Sequence, residues 1–229
     1  MSLFRVSSDC AEIGLRAGAI LFRGVQIRDS PAGLCAEIST GIDQVQSEFE
    51  SMSEVRTSRE VAAFRELLKT VGAPPKQKPP SVETLLRRAL KQRSLRQINN
   101  FVDAYNLVSL LTRCSLGAHD LDRIAPPVEL CFFRGDELFI PLGSDEQQDV
   151  PATEFGYLDA ERKVLCRLDV IQAEFSKVTP ATANALLIVE GTASHSRETL
   201  QRAFDMCCEI IPRYCGGEAK IVAFPSELT

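Results

Sequence analysis

The sequence lacks the motifs of several common enzyme classes. Its 229 residues contain no G-x-x-x-x-G-K-[ST], no G-x-G-x-x-G and no G-x-S-x-G. Nucleotide hydrolysis at a P-loop, dinucleotide redox chemistry and esterase-elbow chemistry therefore have no support in the sequence. There are only two histidines, too few to form a three-histidine metal site on their own.

The chain also lacks metal-binding cysteine pairs and long apolar runs. None of its eight cysteines has C-x-x-C spacing, so we expect reduced, buried thiols and neither a metal nor another cofactor. No apolar run reaches the roughly 18–20 residues that span a bilayer. The N-terminus lacks the basic segment followed by an apolar one that marks a signal peptide. We expect a cytoplasmic protein outside the membrane.

Charge is unevenly distributed along the chain. The net charge is −5, yet residues 1–100 carry 15 basic and 11 acidic side chains, and residues 101–229 carry 11 and 20. The basic excess lies in one segment, formed by Lys76, Lys78, Arg87, Arg88, Lys91, Arg93 and Arg96. Two interpretations stay open: a solvated helix face, or a patch that contacts the phosphates of an RNA or DNA.

The first half of the chain has mainly helical periodicity and the second half has mainly strands. We expect a strand at 17–27, then a helix at 34–52, a helix that begins at Ser53 or Ser58 and ends at Gly72, a helix that begins at Ser81, and a helix that follows Ser94 and ends at Gly117. Ser81 and Thr84 form the expected capping signature of the third of these helices. Beyond the two prolines at 126–127, we expect hairpins around 134–136 and 159–162, strands at 185–189 and 220–224, and a helix at 196–214.

This order predicts an α+β fold, with antiparallel or mixed β-sheets covered by helices. Residues 72–80 form a proline-rich connector and the best candidate for an internal boundary. We nevertheless expect the strand and helix of residues 1–54 to belong to the same unit as residues 55–229, so that the chain is effectively one domain.

The stretch from Ser94 to Asp122 is the most informative part of the sequence. Phe101, Tyr105 and Val108 recur at helical spacing, with Asp103 and Asn106 as polar interruptions of the apolar stripe. Gly117 is expected to end this helix and to release the chain into a turn that carries His119, Asp120 and Asp122. A histidine in this context is either structural or functional. His195, between two serines at a helix start, is expected at the surface.

A second polar cluster lies at residues 172–184, between two expected strands. It is either a polar loop with a turn at Thr179-Pro180 or the rim of a pocket. In the second interpretation, Glu174 accepts a hydrogen bond from a ligand hydroxyl or amine.

These stretches together resemble a known family. The blocks are Ser-x-Glu-x-Leu-x-Arg-Arg from Ser81, Val-Asp-x-Tyr-Asn-x-Val-Ser from Val102, and Gly-x-x-Asp-Leu-Asp from Gly117. In this order they resemble the editing domain of the phenylalanyl-tRNA synthetase beta subunit, the B-three/B-four domain. The resemblance covers roughly residues 55–217 and implies a layered β/β/α fold. In the synthetase, this domain hydrolyses tyrosine wrongly attached to the phenylalanine tRNA.

The resemblance implies roles for individual residues. His119 falls at the position of a histidine in a Gly-x-x-His turn of the synthetase, and Glu174 at that of a glutamate that is followed by Thr-x-Asn. By resemblance, His119 and Glu174 are the catalytic candidates. The candidates for substrate binding are Asn106, Ser176, Thr182 and Asn184, and the seven basic residues of 76–96 are the candidates for tRNA binding. Asp103 is expected to be a structural hydrogen-bonding residue, and the same interpretation stays open for Asn106.

Two departures from the family pattern keep a second hypothesis open. The Gly-Gly before the family glutamate is Gln172-Ala173 here, and the glycine after the serine is Lys177. Because glycines allow close backbone approach, their loss changes the shape of the pocket. The first hypothesis is an aminoacyl-tRNA hydrolase that edits mischarged tRNA in trans, with tRNA or aminoacyl-tRNA as its partner. The alternative is a non-catalytic protein that binds RNA or an amino acid on the same fold. The sequence sets no oligomeric state.

Overall fold

The structure is a computed structural model that describes residues 2–225. Within these residues, the helices are α1 Ser8–Glu12, α2 Ala32–Glu48, α3 Met52–Thr57, α4 Arg59–Thr70, α5 Ser81–Gln92, α6 Asn100–Thr112 and α7 Arg197–Cys215. The strands are β1 Phe4–Val6, β2 Leu15–Arg23, β3 Ser115–Asp120, β4 Val128–Phe132, β5 Phe155–Leu158, β6 Val164–Arg167, β7 Ile171–Gln172, β8 Asn184–Thr192 and β9 Glu218–Ala223. A 3₁₀ turn spans Leu121–Arg123.

Two sheets lie face to face and helices cover one of them. One sheet has the order β1-β4-β5-β6-β7, with a parallel β1–β4 pair and antiparallel pairs elsewhere. The other has the order β3-β8-β2-β9 and is antiparallel throughout. This arrangement confirms the predicted α+β class with layered sheets. The first 54 residues supply β1 to one sheet and the interior strand β2 to the other.

The interior strand β8 explains the layering, because it is apolar on both faces. Leu187 and Val189 pack into the core between the four-stranded sheet and the helices. Leu186 and Ile188 pack into a second core between the two sheets. A strand that is buried on both sides needs a continuous apolar run rather than alternation. Its one charged interior residue, Glu190, is 1% exposed.

The helix α6 begins later than its periodicity predicted. Asn99 caps its start by accepting a hydrogen bond from the Val102 N–H at 2.9 Å. The preceding residues are not helical, because the carboxylate of Asp103 holds the N–H of Ile98 at 3.0 Å. Asp103 is thus a structural hydrogen-bonding residue, as expected.

The expected turn at Gly117 was wrong. The helix ends at Thr112, where Arg113 adopts a left-handed conformation with φ 64°. The chain then enters β3, so Gly117 and His119 lie on a strand. Asp120 ends this strand and caps the 3₁₀ turn that contains Asp122, because its carboxylate accepts the N–H of Asp122 at 3.1 Å.

The hairpin predicted around residues 134–136 was also wrong. The strand β4 pairs with β5, whereas residues 137–142 form only isolated bridges at Leu138 and Pro141. Glu137 is buried and its carboxylate accepts the N–H groups of Arg134 and Gly135, which wraps the turn around an acid. The hairpin around residues 159–162 is confirmed, because β5 and β6 pair across it.

No helix in residues 2–225 is both long enough and apolar enough to cross a membrane.

Candidate functional site

A cavity of about 150 Å³ lies between the two sheets, next to the N-terminus of α5. Strand β3 forms one wall, and the loop between β6 and β7 faces it. The lining residues are Ser81, Tyr105, Ser115, Leu116, Gly117, His119, Tyr157, Cys166, Asp169, Val170, Gln172 and Ile188.

The alternation of β3 opens this cavity. Side chains two residues apart share a strand face, which places Ser115, Gly117 and His119 together on the cavity side. Ala118 packs on the opposite side, against the helices, and Leu116 contacts that core while also lining the cavity. A Cβ atom added at Gly117 would meet no atom within 4 Å. The missing side chain at this position therefore leaves room for a ligand.

His119 is held in a fixed, uncharged state beside this space. Its side chain is buried, and its Nδ1 lies 3.0 Å from the Ser176 hydroxyl oxygen. The Asp120 N–H donates to the Ser176 carbonyl at 2.9 Å, which ties the two segments together. Burial lowers the pKa of His119 from 6.5 to about 4, so the imidazole is neutral at pH 7. Within residues 2–225, Nε2 has no hydrogen-bond partner.

The opposite wall is acidic. Asp169 accepts hydrogen bonds through Oδ2 from the N–H of Ser81 at 3.2 Å and from its hydroxyl at 3.3 Å. The Ser81 hydroxyl also lies 2.7 Å from that of Ser115. Ser81 therefore joins α5 to the cavity and is not the helix cap that the sequence predicted; the cap position is Pro80, which makes no side-chain capping bond. Burial raises the pKa of Asp169.

Glu190 is not a lining residue, but it is bonded to the lining residue Tyr157. The Tyr157 hydroxyl donates to Oε2 of Glu190. Burial, together with the nearby Asp169 carboxylate, raises the pKa of Glu190 from 4.5 to about 8. Cys166 also lines the cavity, and burial raises the pKa of its thiol far above the ordinary value. A thiol that stays protonated is a poor nucleophile.

Glu174, the second catalytic candidate, lies outside the lining of this cavity. Its Oε2 accepts the N–H of Gly143 at 2.9 Å, and its other oxygen pairs with Lys177. These bonds, first that to Lys177 and then that to Gly143, lower the pKa of Glu174. Two residues earlier, Gln172 does line the cavity and donates to the Ala118 carbonyl at 2.9 Å.

The candidates for substrate binding are spread over several places. Ser176 contacts His119, as described above. Thr182 donates to the Asp120 carboxylate at 2.6 Å, and Asn184 donates to that of Asp122 at 3.1 Å. Both bonds anchor the turn after β3, and neither residue lines the cavity. Asn106 lines a separate cavity of about 180 Å³, which it shares with Arg93, Arg96 and Asp103.

The basic segment of residues 76–96 is divided by its contacts. Lys78 bonds to Glu154 at 2.7 Å, and Arg93 lies 3.8 Å from Asp43. The other five basic residues are Lys76, Arg87, Arg88, Lys91 and Arg96. None of them makes a salt bridge to another described residue. Arg88 is half-buried and the other four are exposed. Glu83, the one acid of the segment, is buried between Arg56 and Arg65.

The helix α5 connects this basic surface to the cavity. Ser81, its first residue, lines the cavity, and Arg88 follows seven residues later on the same helix face. At 1.5 Å per residue, the two positions lie about 10 Å apart along the helix axis.

His195 and the cysteines have structural surroundings. His195 is buried, contrary to the expected surface position; its Nδ1 accepts the Thr192 N–H at 3.0 Å and its Nε2 lies 3.1 Å from the Arg113 carbonyl. The eight cysteines are free thiols. Residues 2–225 contain no group of three or more His, Cys, Asp or Glu side chains arranged to hold a metal ion.

Sequence reasoning missed the acidic wall. Asp169 was not singled out because it follows a strand with no motif around it. Glu190 did carry a signal, since a single acid directly follows the apolar run at 185–189. A charged residue is rarely buried in such a place without a partner or a function.

Comparisons with known proteins agree with this architecture. The chain is 30% identical over 105 residues to the phenylalanine–tRNA ligase beta subunit of Methanocaldococcus jannaschii, covering 38% of this chain and 19% of that protein. It is 28% identical over 109 residues to the same subunit of Mycoplasma genitalium, covering 47% and 13%. The chain thus spans less than a fifth of the length of these relatives.

A solved structure shares the fold. It is an N-terminal fragment of the phenylalanyl-tRNA synthetase beta subunit from Pyrococcus horikoshii, with a TM-score of 0.51 and 16% identity. The match covers 94% of this chain and 49% of that one. The model of the B3/4 domain family matches residues 63–216, which is more than half of the chain. The protein therefore belongs to the B3/4 domain family and is related to the beta subunit of phenylalanyl-tRNA synthetase.

Proposed function

We propose that this protein hydrolyses the ester bond of a mischarged aminoacyl-tRNA and releases free amino acid and tRNA. The observation that carries the proposal is the neutral imidazole of His119, positioned by Ser176 in a cavity of amino-acid size. An engineered protein cavity of roughly 150 Å³ holds one benzene ring. The volume here suits the side chain of one aminoacyl group.

Direct attack by water fits the groups that line the cavity. The water oxygen bonds to the ester carbonyl carbon, the bond from that carbon to the ribose oxygen breaks, and the ribose oxygen gains a proton. In this proposal, Nε2 of His119 orients the water and accepts its proton. Cys166 is a protonated thiol, and the hydroxyl of Ser176 is buried outside the lining. Neither residue suits a covalent route.

The basic face of α5 is the proposed contact for tRNA. The chain as a whole carries a net charge of −5, so nucleic acid needs a local basic surface. Arg88 lies on the helix face that begins at the cavity with Ser81, and Arg87 and Lys91 are exposed beside it. A phosphate backbone that follows this face would lead the aminoacyl end of a tRNA to the cavity.

Deacylation assays test this function. Purified protein is incubated with tRNAs that carry tyrosine or another non-cognate amino acid, and the remaining ester is measured over time. We expect His119→Ala to slow hydrolysis roughly 10²- to 10⁴-fold, the usual contribution of a general acid or base. Glu174→Ala is the matched control, since Glu174 lies outside the lining and we expect a much smaller effect.

Two results would overturn the proposal. The first is native protein that binds aminoacyl-tRNA but hydrolyses none of the esters faster than the His119→Ala variant. This would favour the non-catalytic binding protein on the same fold. The second is an equal loss of hydrolysis rate in the His119→Ala and Glu174→Ala variants, which would show that His119 is not the general base.

A further inference from the structure

Two acids at this site each have one buried oxygen that lacks a partner: Asp169, which lines the cavity, and Glu190, which is bonded to the lining residue Tyr157. Three buried side-chain nitrogen or oxygen atoms in residues 2–225 make no hydrogen bond: Oδ1 of Asp169, Oε1 of Glu190 and Nη1 of Arg113. Buried polar groups are almost always paired, so each exception needs a reason. Two of the three exceptions lie at this one site.

These two oxygens belong to neighbouring groups. Glu190 is opposite Ser115 in the β3–β8 register, and it lies on the same strand face as Ile188. Ser115 and Ile188 both line the cavity, as does Asp169. The Asp169 carboxylate is also close enough to raise the pKa of Glu190.

The other buried glutamates show what is missing here. Glu83 pairs with two arginines, Glu137 with Arg162, and Glu154 with Arg167 and Lys78. Buried charges in proteins are generally paired in this way. Within residues 2–225, Glu190 and Asp169 have no cationic partner, and the hydrogen bonds that they accept come from neutral donors. With its pKa raised to about 8, Glu190 keeps its proton at pH 7 while the site is empty, and a ligand cation beside the two acids would favour release of that proton and complete the pairing.

The residues that line the cavity indicate which kind of cation would bind. Tyr105, Leu116, Val170 and Ile188 provide apolar surface in the same small cavity. A primary ammonium group has three hydrogen-bond donors on one compact charge, which suits two carboxylate oxygens and a hydroxyl. An amino acid combines such an ammonium with an apolar body of the right volume.

We propose that Asp169 and Glu190 bind the α-ammonium group of the aminoacyl moiety, which restricts the protein to substrates with a free amino group. This inference rests on the proposed hydrolysis, because it assigns the two ends of one cavity to one ligand. The ammonium binds at the acidic wall and the ester carbonyl lies toward His119. Acylation of the amino group removes its charge, adds bulk and leaves both acids without a cationic partner.

The test compares two substrates made from one preparation, tyrosyl-tRNA and N-acetyl-tyrosyl-tRNA. We expect native protein to hydrolyse the acetylated ester slower by roughly a hundredfold or more, since a site built for a polar group rejects analogues that leave it unpaired. Asp169→Asn should slow hydrolysis of tyrosyl-tRNA while changing that of the acetylated ester little. Equal rates for both esters with native protein would overturn the inference and leave the proposed hydrolysis intact.

A binding measurement covers the case in which neither ester is hydrolysed. L-Tyrosinamide and N-acetyl-L-tyrosinamide are titrated into native protein and into the Asp169→Asn and Glu190→Gln variants by calorimetry. Selective binding of the free amine, weakened in both variants, would support the ammonium site even though the proposed hydrolysis had failed. Equal binding of both amides, or binding of neither, would overturn it. Thermal unfolding of each variant shows whether its fold is retained.

Discussion

Nδ1 of His119 lies 3.0 Å from the hydroxyl oxygen of Ser176, which joins strand β3 to the segment before β8. These residues are 57 positions apart in the chain. The contact fixes the imidazole plane and determines which ring nitrogen remains available to the cavity. Ser176 is a positioning residue in this arrangement, because its own hydroxyl lies outside the lining.

Replacement of Ser176 by alanine should reduce turnover more than substrate binding. Nδ1 of His119 would then be buried without a partner, which costs about 1–3 kcal/mol of stability. If about 1.4 kcal/mol of this appears in the transition state, kcat falls roughly tenfold while KM changes little. Steady-state deacylation and urea unfolding measure the two effects. An unchanged kcat would show that His119 needs no support from Ser176.

Ser47→Ala is the matched control for this substitution. Ser47 is exposed, and its hydroxyl donates to the Gln44 carbonyl within α2 at 2.8 Å. The same chemical change there should alter neither turnover nor stability by more than about 0.5 kcal/mol.

The buried acid Glu190 should make the protein less stable as pH rises from 6.5 to 8. Its pKa is about 8 in the folded protein and 4.5 ordinarily, so between these values the folded state holds a proton that the unfolded state has released. This stability is complete below pH 4.5 and is lost as pH rises toward 8. At up to about 1.36 kcal/mol per pH unit, the loss between pH 6.5 and 8 is about 2 kcal/mol.

Glu190→Gln isolates this effect, since the amide still accepts a bond from Tyr157 but does not titrate. The measurements begin at pH 6.5 so that the titration of His119 does not interfere. The pKa of His119 is about 4 in the folded protein and 6.5 ordinarily, so between these values only the unfolded state binds this proton. There stability falls as pH decreases, which is the opposite sign. Chemical denaturation at pH 6.5, 7.25 and 8 gives the comparison. Parallel curves for the two proteins would exclude Glu190 as the titrating group.

Local patterns in the sequence were sufficient for the elements but not for their partners. The spacing of Phe101, Tyr105 and Val108 predicted α6, because helical periodicity is a property of neighbouring residues. The predicted partner of β4 was wrong. Residues 137–142 have the composition of a strand, but β4 pairs with β5, which begins at Phe155. In the structure, the carboxylate of the buried Glu137 accepts the N–H of Arg134, and residues 137–142 do not pair with β4.

The candidate site shows the same limit. The resemblance singled out His119 and Ser176, which the structure brings into contact. Ser81 looked like a helix cap because its hydroxyl precedes an amphipathic run, yet it bonds to Asp169, 88 residues away. Such a pair leaves no trace in local spacing. The alternation of Ser115, Gly117 and His119 was visible in the sequence, but a glycine is also a common helix terminator.

A side chain at Gly117 should fill the cavity without harming the fold. A Cβ there meets nothing within 4 Å, and this glycine is not among those with a positive φ. The free energies of unfolding of Gly117→Ala and Gly117→Val should therefore lie within about 0.5 kcal/mol of that of native protein. The valine variant should be at least as stable as native protein, because strands favour Val. We expect KM for aminoacyl-tRNA to rise with the added volume, more for valine than for alanine. Native KM in the valine variant would place the ligand elsewhere.

Within the basic segment, Lys78 has a structural contact and Arg88 does not. Its ammonium bonds to Glu154, which also accepts two bonds from Arg167 at 2.8 and 3.0 Å. This network attaches the proline-rich connector to the five-stranded sheet. Lys78 is thus committed to a buried carboxylate, whereas Arg88 has no salt-bridge partner among the described residues.

Arg88→Glu, Lys78→Met and Arg202→Glu should therefore behave differently in tRNA binding. Each phosphate contact contributes nearly one unit to the slope of log affinity against log salt, so we expect Arg88→Glu to weaken binding and to lower that slope by about 1. Lys78→Met should leave the slope unchanged and reduce stability by about 1 kcal/mol. Arg202→Glu, on the exposed surface of α7, controls for the loss of net charge. Filter binding between 50 and 200 mM salt gives the slopes. If Arg202→Glu lowers the slope as much as Arg88→Glu does, the attraction is a general effect of charge and α5 is not the docking face.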